Sequence, residues 1–339
     1  MTELSDVQGA DAAPLSILGL GVELPPTVDV RRLAEARGAD TSRYSGWEQV
    51  CHARPGDQPS TFASAALTQA LASSGVEASE LDLVVFGGVS RDYVPSWSVA
   101  TEVMRLHGIG DHCVGLDMTI GCLGSLAGLE LANGWLRARG GGYAAVVLGE
   151  RWSHTVDLSD AHTAAMWAWA DGGAALVVGL GSSRPALAEF LGAEFTSEST
   201  NNGHVLIPYG GTREPTAPPG VDPFQRRVSD KPRREVKAIY DRGYQLAYRT
   251  LVERVGIEGT RLICNQITPP MVQMIAAGLG FPMEQVVVTG HGTGHLGAAD
   301  AVVGLQYLLD HKELDGPVVM GASTAYAFGT AMVVPPAGP

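Results

Sequence analysis

The residue of this sequence best suited to chemistry is Cys122, which lies in the stretch of residues 117–132. This stretch predicts the end of a strand, a tight corner of small residues at Gly121-Cys122, and then a helix. The helix is apolar nearly all round, which is typical of a helix buried between other layers. A cysteine in its first turn meets unpaired backbone N–H groups and the positive end of the helix dipole, and both favour the nucleophilic thiolate. The alternative is a structural buried cysteine.

Three polar residues in the second half of the chain are candidate partners for Cys122. Asn265 ends a predicted strand, His295 lies in a glycine-rich loop, and Asp300 follows five residues later. Each has a structural alternative: Asn265 could satisfy backbone groups, His295 could be a buried loop histidine, and Asp300 could cap a helix that begins near it. The spacing of His291 and His295 does not predict a metal site, because both lie in a loop and no third ligand is near.

The composition limits the classes of function. The chain has 339 residues and a net charge of −13, from 36 acidic and 23 basic residues, so a nucleic-acid partner is not expected. Four cysteines without a CxxC spacing argue against a disulfide scaffold or a zinc site. No apolar run is long enough to cross a membrane, and the acidic N-terminus does not resemble a signal peptide. We therefore expect a cytoplasmic protein that has no membrane partner.

Strands and helices alternate along the chain, after a start at residues 1–14 that is predicted to be irregular. Most predicted strands are solid apolar runs, which favours an α/β fold with a largely parallel sheet covered by helices on both faces. The predicted strands cover residues 15–25, 81–87, 114–118, 144–149, a run ending at 178, 261–267, 285–289, 317–323 and 326–334. The predicted helices cover residues 30–37, a segment beginning at 60, 93–107, 123–136, 237–255, 269–279 and a segment ending at 309. Residues 197–235 are predicted to form surface loops.

The second half of the chain repeats the order of elements of the first. This repeat predicts two halves, residues 15–182 with Cys122 and residues 183–339 with His295 and Asn265. Duplicated halves usually form a site at their seam, from loops at strand ends. We therefore expect Cys122 and its partners to meet between the halves.

The order of elements and three short motifs resemble the thiolase fold, in particular its ketoacyl synthase III branch. The Cys122 corner resembles that family's nucleophile elbow, residues 171–174 (Asp-Gly-Gly-Ala) resemble its Asp-Gly-Ala-Gly turn, and residues 321–329 resemble its closing glycine-rich segment. The resemblance covers roughly residues 15–335. It implies two pseudo-duplicated αβαβα halves, a homodimer, and a coenzyme A thioester as co-substrate without a tightly bound cofactor.

Two motifs depart from the family pattern. Residues 265–268 read Asn-Gln-Ile-Thr where the family normally has His-Gln-Ala-Asn, and residues 294–296 read Gly-His-Leu where it normally has Gly-Asn-Thr. In the family, that histidine and that asparagine jointly support decarboxylation of a malonyl group. Their exchange in this chain argues against carbon–carbon bond formation.

The exchanged pair suits transfer of an acyl group to oxygen. Cys122 would hold the acyl group, His295 would remove the proton of an incoming hydroxyl, and Asp300 would orient His295 in a Cys-His-Asp set. The resemblance implies an oxyanion hole from the N–H of Cys122 and one near Thr324. Ester-forming relatives of this kind act in polyketide antibiotic pathways, and the chain most resembles the malonyl-transferring homologue of the cervimycin pathway. That resemblance implies a malonyl-type acyl group and a hydroxyl of a glycosylated polyketide as acceptor.

The family pattern also places the residues that would hold coenzyme A. Trp47 and Arg43 fall near the position where the family holds the adenine end. Arg226 and Arg233 belong to a basic run that could receive the phosphates. Pro270 replaces a basic residue of the family, which favours coenzyme A over an acyl carrier protein as the donor.

Two other functions stay open from the sequence. One is a decarboxylating ketoacyl synthase III that tolerates the exchanged pair. The other is a partner subunit or scaffold without activity of its own, in which Cys122 would have no chemical role. The presence of Cys122 together with a new histidine and a nearby acid argues against the scaffold.

Overall fold

The structure, a computed structural model, describes residues 14–94, 96–224 and 226–336. The strands in these ranges are β1 (Leu15–Glu23), β2 (Thr27–Asp29), β3 (Gln49–Cys51), β4 (Leu81–Gly87), β5 (Val114–Met118), β6 (Gly142–Arg151), β7 (Asp171–Leu180), β8 (Ala188–Ser197), β9 (Val205–Leu206), β10 (Arg227–Val228), β11 (Arg261–Cys264), β12 (Val286–Val287), β13 (Val318–Ser323) and β14 (Ala327–Val334). The α-helices are α1 (Val30–Ala36), α2 (Pro59–Ser74), α3 (Val99–Leu106), α4 (Gly124–Arg139), α5 (Arg233–Val255), α6 (Pro269–Leu279), α7 (Gly290–Thr293) and α8 (Asp300–Asp310). The predicted irregular start lies outside the described residues apart from Pro14.

Ten of the described strands form one sheet, in the order β12-β11-β13-β14-β8-β1-β7-β6-β4-β5. Its first-half strands run β1-β7-β6-β4-β5, and its second-half strands run β8-β14-β13-β11-β12 in the same relative order. The antiparallel pairing of β1 with β8 joins the two sets. Each half therefore repeats one topology, and the seam between the halves lies at the middle of the sheet.

The sheet is mixed, so the prediction of a largely parallel sheet was wrong. Strands β4, β5 and β6 are parallel to one another, as are β11, β12 and β13, but β7 and β14 run antiparallel to their neighbours. Parallel neighbours need a crossover of about a dozen residues or more. Only residues 324–326 separate β13 from β14, so this pair must be antiparallel.

The helices form layers on both sides of each set of strands. Helix α4 contacts β4 and β6 of the first half and β8 and β14 of the second, and α8 contacts β11 and β12 as well as β1 and β7. Helices α4 and α8 are therefore interior, whereas α2 packs outside the first-half strands and α5 outside the second-half strands. None of the helices in the described ranges is both long and apolar enough to span a bilayer.

The corner before α4 depends on glycines. Gly121 has φ of +60°, in the left-handed region that favours glycine, and it begins a short 3-10 helix, Gly121–Leu123. Gly124 follows as the first residue of α4, and it packs directly on Gly87 at the end of β4, since a Cβ on Gly124 would lie 2.0 Å from the Gly87 carbonyl oxygen. The apolar face behind the corner is fully buried at Leu123 and Leu126. The predicted strand, corner and core helix are thus present, and this packing fixes where Cys122 lies.

Two predicted helices begin at other residues than predicted, and the long strand β8 was not predicted. Helix α3 begins at Val99, capped by the Ser98 side chain, later than predicted; the predicted start at Pro95 lies outside the described residues. Helix α5 begins at Arg233, one turn before the predicted start, because Pro232 serves as its N-cap. Strand β8 was missed, because its apolar residues alternate with glutamates and a glycine and do not form a solid run.

The close contact at the start of α4 predicts opposite effects of the same substitution at two glycines of one helix. Gly124→Ala should destabilise the fold by about 1–3 kcal/mol, because the added methyl group meets the Gly87 backbone. Gly134→Ala is the matched control: a Cβ there has no atom within 4 Å, so alanine should stabilise by about 0.5–1 kcal/mol through helix propensity. Denaturant unfolding of both variants measures this difference. Equal stability of the two would contradict the packing of α4 on β4.

Candidate active site

The loop that carries His295 is joined to the first half of the chain by backbone hydrogen bonds. The His295 N–H donates to the Ala168 carbonyl oxygen at 2.8 Å, and the His295 carbonyl oxygen accepts from the Ala170 N–H at 2.8 Å. The Trp169 ring lies edge-on to the imidazole, with ring centroids 5.8 Å apart. A second-half histidine is therefore held against the segment that leads into β7, as the seam prediction requires.

Cys122 lies opposite this histidine. Its Sγ is 3.4 Å from Nε2 of His295, across 173 residues of sequence. Cys122 is partly exposed, whereas Cys51, Cys113 and Cys264 are buried. Burial raises the pKa of Cys51 to about 12 and that of Cys113 to about 11, so these thiols stay protonated and unreactive at neutral pH. Cys122 is the cysteine that a substrate can reach.

Asp300 holds the other side of the imidazole. Its Oδ2 is 2.5 Å from Nδ1 of His295 and also accepts from the Gln266 N–H at 2.7 Å, while its Oδ1 accepts from the Leu296 N–H at 2.8 Å. Asp300 is the first residue of α8, but these bonds all go to groups that precede the helix. The carboxylate therefore orients His295 so that Nε2 faces the sulfur, and this geometry favours the triad role over the helix cap.

The charges of the three groups support one another. Burial of His295 alone would lower its pKa, but the Asp300 carboxylate and a Cys122 thiolate raise it to about 10. An imidazolium is thus the stable form at neutral pH, and its positive charge faces the sulfur 3.4 Å away. The resting arrangement therefore places a cation between the sulfur of Cys122 and the carboxylate of Asp300.

The two other predicted pocket residues support the site through its backbone. The Asn265 amide nitrogen donates to the Gly297 carbonyl oxygen at 3.3 Å, and its oxygen accepts from the Ser323 N–H at 2.7 Å. Asn265 therefore joins the strand-end loops, in line with its structural alternative. The Thr324 methyl group packs against Gly121, next to the cysteine corner. The Thr324 N–H itself donates to the Ala327 carbonyl oxygen at 2.8 Å and is not free for an oxyanion.

The predicted adenine-binding positions do not form a ligand site. Trp47 is buried: its Nε1 donates to the Gln266 carbonyl oxygen at 2.6 Å, and its ring packs so closely on Gly290 that a Cβ there would clash. The indole is part of the scaffold under the histidine loop, which corrects the prediction for Trp47. Arg43 is exposed, and neither residue lines the cavity beside α5.

That cavity has a volume of about 590 Å³ and lies against the start of α5. Lys231, Arg233 and Arg234 line it, so part of the predicted basic run does face a cavity. Cys122 and His295 do not line it, but Tyr240 does, and burial together with the charge of Cys122 raises the pKa of Tyr240 to about 12. The charge of Cys122 therefore acts on Tyr240, which is one of the residues that line the cavity.

Arg226 does not line this cavity, and its burial differs from the exposed position that the sequence predicts for a residue receiving coenzyme A phosphates. Its side chain is only 7% exposed, and its guanidinium stacks on Trp152 and Trp169, with distances of 4.6 Å and 3.8 Å to the ring centroids. The basic run reads as one exposed surface in the sequence, but its first arginine is turned inward beside the site.

Sequence reasoning missed several residues that shape the site. Gln266 accepts from the N–H groups of Thr289 and Gly290 through its side-chain oxygen and so fixes the start of the histidine loop. Glu150 is buried at the end of β6, where burial raises its pKa and the N–H groups of Val89 and Ser90 donate to it. A lone acid at the end of an apolar run was the available signal for Glu150.

The described residues give no sign of a metal site. In the described ranges no three histidine, cysteine, aspartate or glutamate side chains are grouped so that they could hold a metal ion. His291 is exposed while His295 is buried, so the two do not converge.

Comparisons with known proteins agree with the fold. Residues 116–199 match the family model of 3-oxoacyl-[acyl-carrier-protein] synthase III. The chain is 27% identical to the β-ketoacyl-[acyl-carrier-protein] synthase III of Symbiobacterium thermophilum over 331 residues, which is 94% of this chain and 96% of that protein.

Solved structures show the same fold. FabH from Pseudomonas aeruginosa superposes with a TM-score of 0.80 at 22% identity, over 96% of this chain and 100% of that one. A cysteine-to-serine variant of Xanthomonas campestris OleA, with bound lauric acid and lauroyl-CoA, superposes with a TM-score of 0.80 at 19% identity, over 95% and 99% of the two chains. The chain therefore has the thiolase-like α/β fold that the motifs predict.

The ion-pair geometry predicts selective alkylation of Cys122. Because the pKa of His295 is raised to about 10, His295 stays protonated between about pH 6 and pH 9, and iodoacetamide should label Cys122 at a nearly constant rate over this range. In His295→Gln the labelling rate at pH 6–7 should fall by about tenfold or more and rise steeply only as the solution approaches the ordinary thiol pKa of about 8.5. Peptide mass spectrometry of labelled protein measures both profiles. A wild-type rate that rises tenfold per pH unit up to pH 8 would refute the ion pair.

Proposed function

We propose that the chain is a thiolase-fold transferase of the ketoacyl synthase III type that moves an acyl group from a coenzyme A thioester through Cys122 to a hydroxyl acceptor, forming an ester. The observation that carries the proposal is the continuous set of sulfur, imidazole and carboxylate. Sγ to Nε2 is 3.4 Å and Nδ1 to Oδ2 is 2.5 Å, so both ring nitrogens have defined partners.

The first half-reaction loads the enzyme. The Cys122 thiolate attacks the thioester carbonyl carbon, and the carbon–sulfur bond to coenzyme A then breaks as the tetrahedral intermediate collapses. The departing thiolate takes the proton of the His295 imidazolium at Nε2. The acyl group is then a thioester on Cys122, and His295 is neutral with its Nδ1–H held by Asp300.

The second half-reaction needs His295 as a base. Acylation removes the thiolate charge, which is one of the causes that raise the pKa of His295, so the pKa falls and the neutral imidazole becomes available. Nε2 takes the proton of the acceptor hydroxyl while its oxygen attacks the thioester. Cys122 leaves as the thiolate and the ion pair re-forms. The Cys122 N–H is retained in the proposed oxyanion hole, whereas the N–H groups of Thr324 and Tyr326 are already used in the turn and do not supply the second donor.

A decarboxylating ketoacyl synthase III is the second candidate, and the names of the curated relatives favour it. Against it stands the position of Asn265. Decarboxylation to a carbanion needs donors aimed at the thioester carbonyl of the extender. The Asn265 amide nitrogen and oxygen instead bond to the backbone of Gly297 and Ser323.

The donor is proposed to be coenzyme A bound in the cavity beside α5. The structure of OleA with lauroyl-CoA supports a coenzyme A thioester as the donor, and Arg233 with its basic neighbours supplies charges for the phosphates. Tyr240 at the inner end would lie where the pantetheine arm approaches Cys122. Trp47 and Arg226 do not contribute to this cavity.

The acceptor and the assembly rest on the resemblance alone. The enzymes that the motifs resemble act in antibiotic pathways and move a malonyl-type group to a hydroxyl of a glycosylated polyketide. The same acyl group and acceptor are proposed for this chain. The same resemblance supports a homodimer. The repeated strand order supports two structural units, residues 15–182 and 183–339. The free cysteines among the described residues are in keeping with a reducing cytoplasm.

The proposed chemistry predicts an intact malonyl adduct. After exposure to malonyl-CoA, intact-mass spectrometry should show one malonyl group on the wild type and none on Cys122→Ala. His295→Gln should slow transfer from the adduct to an alcohol by about 100-fold or more, because the general base is lost. His291→Gln, an exposed histidine in the same loop, is the matched control and should transfer normally. An acetyl adduct, or release of carbon dioxide during turnover, would support the condensing enzyme instead.

The cavity predicts which arginine contributes to donor binding. Arg233→Ala should raise KM for malonyl-CoA by about fivefold, equivalent to about 1 kcal/mol, because one phosphate contact is lost. KM for malonyl-N-acetylcysteamine, which lacks the phosphates, should not change. Arg249→Ala removes an exposed charge from α5 outside the cavity lining and serves as the control. An equal rise in KM for both donors would show that Arg233 supports the fold and does not bind phosphate.

A further inference from the structure

Arg226 is a buried basic residue beside the site that takes no part in the proposed acyl transfer. Arg226 is 7% exposed and stacks on two indole rings, Trp152 and Trp169, whose own centroids are 5.0 Å apart. Trp169 also contacts the ring of His295, and Trp152 packs against Gly297 in the histidine loop. The guanidinium is therefore part of the wall beside the reacting atoms and not of the protein surface.

The hydrogen-bonding groups of this cluster are incompletely used. One Arg226 nitrogen, Nη2, donates to the Thr155 hydroxyl, but the buried Nη1 has no acceptor within the described ranges. The indole Nε1 atoms of Trp152 and Trp169 are also buried without an acceptor in the described part of the chain. Three buried N–H donors of this cluster thus have no acceptor among the residues that the structure describes.

No described carboxylate neutralises Arg226 by direct contact. Glu150 is the acid with the largest electrostatic effect on Arg226, but the two form no ion pair within 4.0 Å among the described residues. The two oxygens of Glu150 instead accept from the N–H groups of Val89 and Ser90. Burial lowers the pKa of Arg226 to about 9, although the charges of Glu150 and Cys122 act to raise it. The guanidinium therefore remains cationic at neutral pH. That Cys122 contributes to this balance shows that the guanidinium is in electrostatic reach of the sulfur.

A buried cation with unused donors is costly unless a partner arrives. Guanidinium and indole N–H groups offer no acceptor, so the partner must supply acceptors and a negative charge. A planar carboxylate fits this requirement, because it can accept two parallel N–H bonds from one guanidinium. Neighbouring His295 and Cys122 carry the acyl chemistry, so such a carboxylate would belong to the acyl group being transferred.

We propose that Arg226 binds the terminal carboxylate of the acyl group carried by Cys122, with the indole N–H groups of Trp152 and Trp169 as additional donors. The donors would then be thioesters of short dicarboxylic acids, and Arg226 would be the residue that selects them over neutral acyl groups. This inference rests on the proposed function only in requiring that the acyl group is loaded on Cys122.

The test compares two donors of nearly equal shape. Malonyl-CoA and acetoacetyl-CoA differ in that a methyl group replaces a charged oxygen. The rate of Cys122 acylation, followed by intact-mass spectrometry, should favour malonyl over acetoacetyl in the wild type. Arg226→Met should reduce malonyl loading by about 30-fold or more and leave acetoacetyl loading within about threefold, because an unpaired carboxylate can no longer be accommodated. Arg226→Lys should retain part of the preference.

Arg227→Met is the matched control. Arg227 is exposed, bonds to the Tyr209 hydroxyl, and does not line the cavity, so its variant removes the same charge without changing the preference. Trp152→Phe keeps a ring but removes one N–H donor and should lower malonyl loading alone. Equal losses with both donors in Arg226→Met, at an unchanged thermal midpoint, would assign Arg226 to thiolate stabilisation or to a water-filled structural site and overturn the proposal. Unchanged malonyl loading would overturn it as well.

The outcome separates this inference from the proposed function. If malonyl is loaded in an Arg226-dependent manner but then loses carbon dioxide, the ester-forming function fails while carboxylate recognition stands. If malonyl remains intact and is passed to an alcohol equally well by Arg226→Met, the ester-forming function stands and carboxylate recognition fails.

Discussion

The buried carboxylate of Asp300 is the interaction on which the site depends. A charge that is 1% exposed must be compensated, and Asp300 is compensated by the imidazole of His295 and by the N–H groups of Gln266 and Leu296. These bonds connect the end of β11 to the loop before α8. Gln266 extends the connection, because its side-chain oxygen holds the N–H groups at the start of that loop. The direction of the His295 imidazole is thus set by contacts within the second half of the chain.

Cys122 comes from the opposite half of the chain, so the distance between its sulfur and the imidazole of His295 depends on how the two halves meet. The backbone of His295 bonds on both sides to Ala168 and Ala170, and the interior helices α4 and α8 each contact strands of both halves. Gly124 on Gly87 brings the cysteine corner to the end of β4 without an intervening side chain. A separation of 3.4 Å between atoms 173 residues apart is therefore a product of rigid packing and not of local sequence.

The sequence predicts the parts of the site whose signals are local. The sequence shows a cysteine at a small-residue corner before an apolar helix, a histidine in a glycine-rich loop, and an acid five residues later. The structure brings these three residues together. Trp47 and Arg226 were misread because their surroundings come from distant segments. The indole of Trp47 bonds to a carbonyl 219 residues away, and Arg226 is buried by tryptophans of the first half. A basic run in a sequence predicts an exposed surface unless those distant partners are known. Strand β8 was not predicted because its glutamates and Gly192 interrupt the apolar pattern.

The proposed carboxylate recognition and the proposed ester formation are physically linked. Loss of carbon dioxide converts a carboxylate charge into a carbanion, and it is favoured when the carboxylate is poorly solvated and the developing charge on the thioester carbonyl is met by donors. A carboxylate paired with Arg226 would be stabilised in its ground state, which raises the barrier to its loss. At the same time Asn265, which would have to supply a donor to the carbonyl, is held by Gly297 and Ser323. Arg226 would therefore both select a malonyl group and slow its decarboxylation. The imidazole of His295, aligned by Asp300, would then activate an oxygen nucleophile.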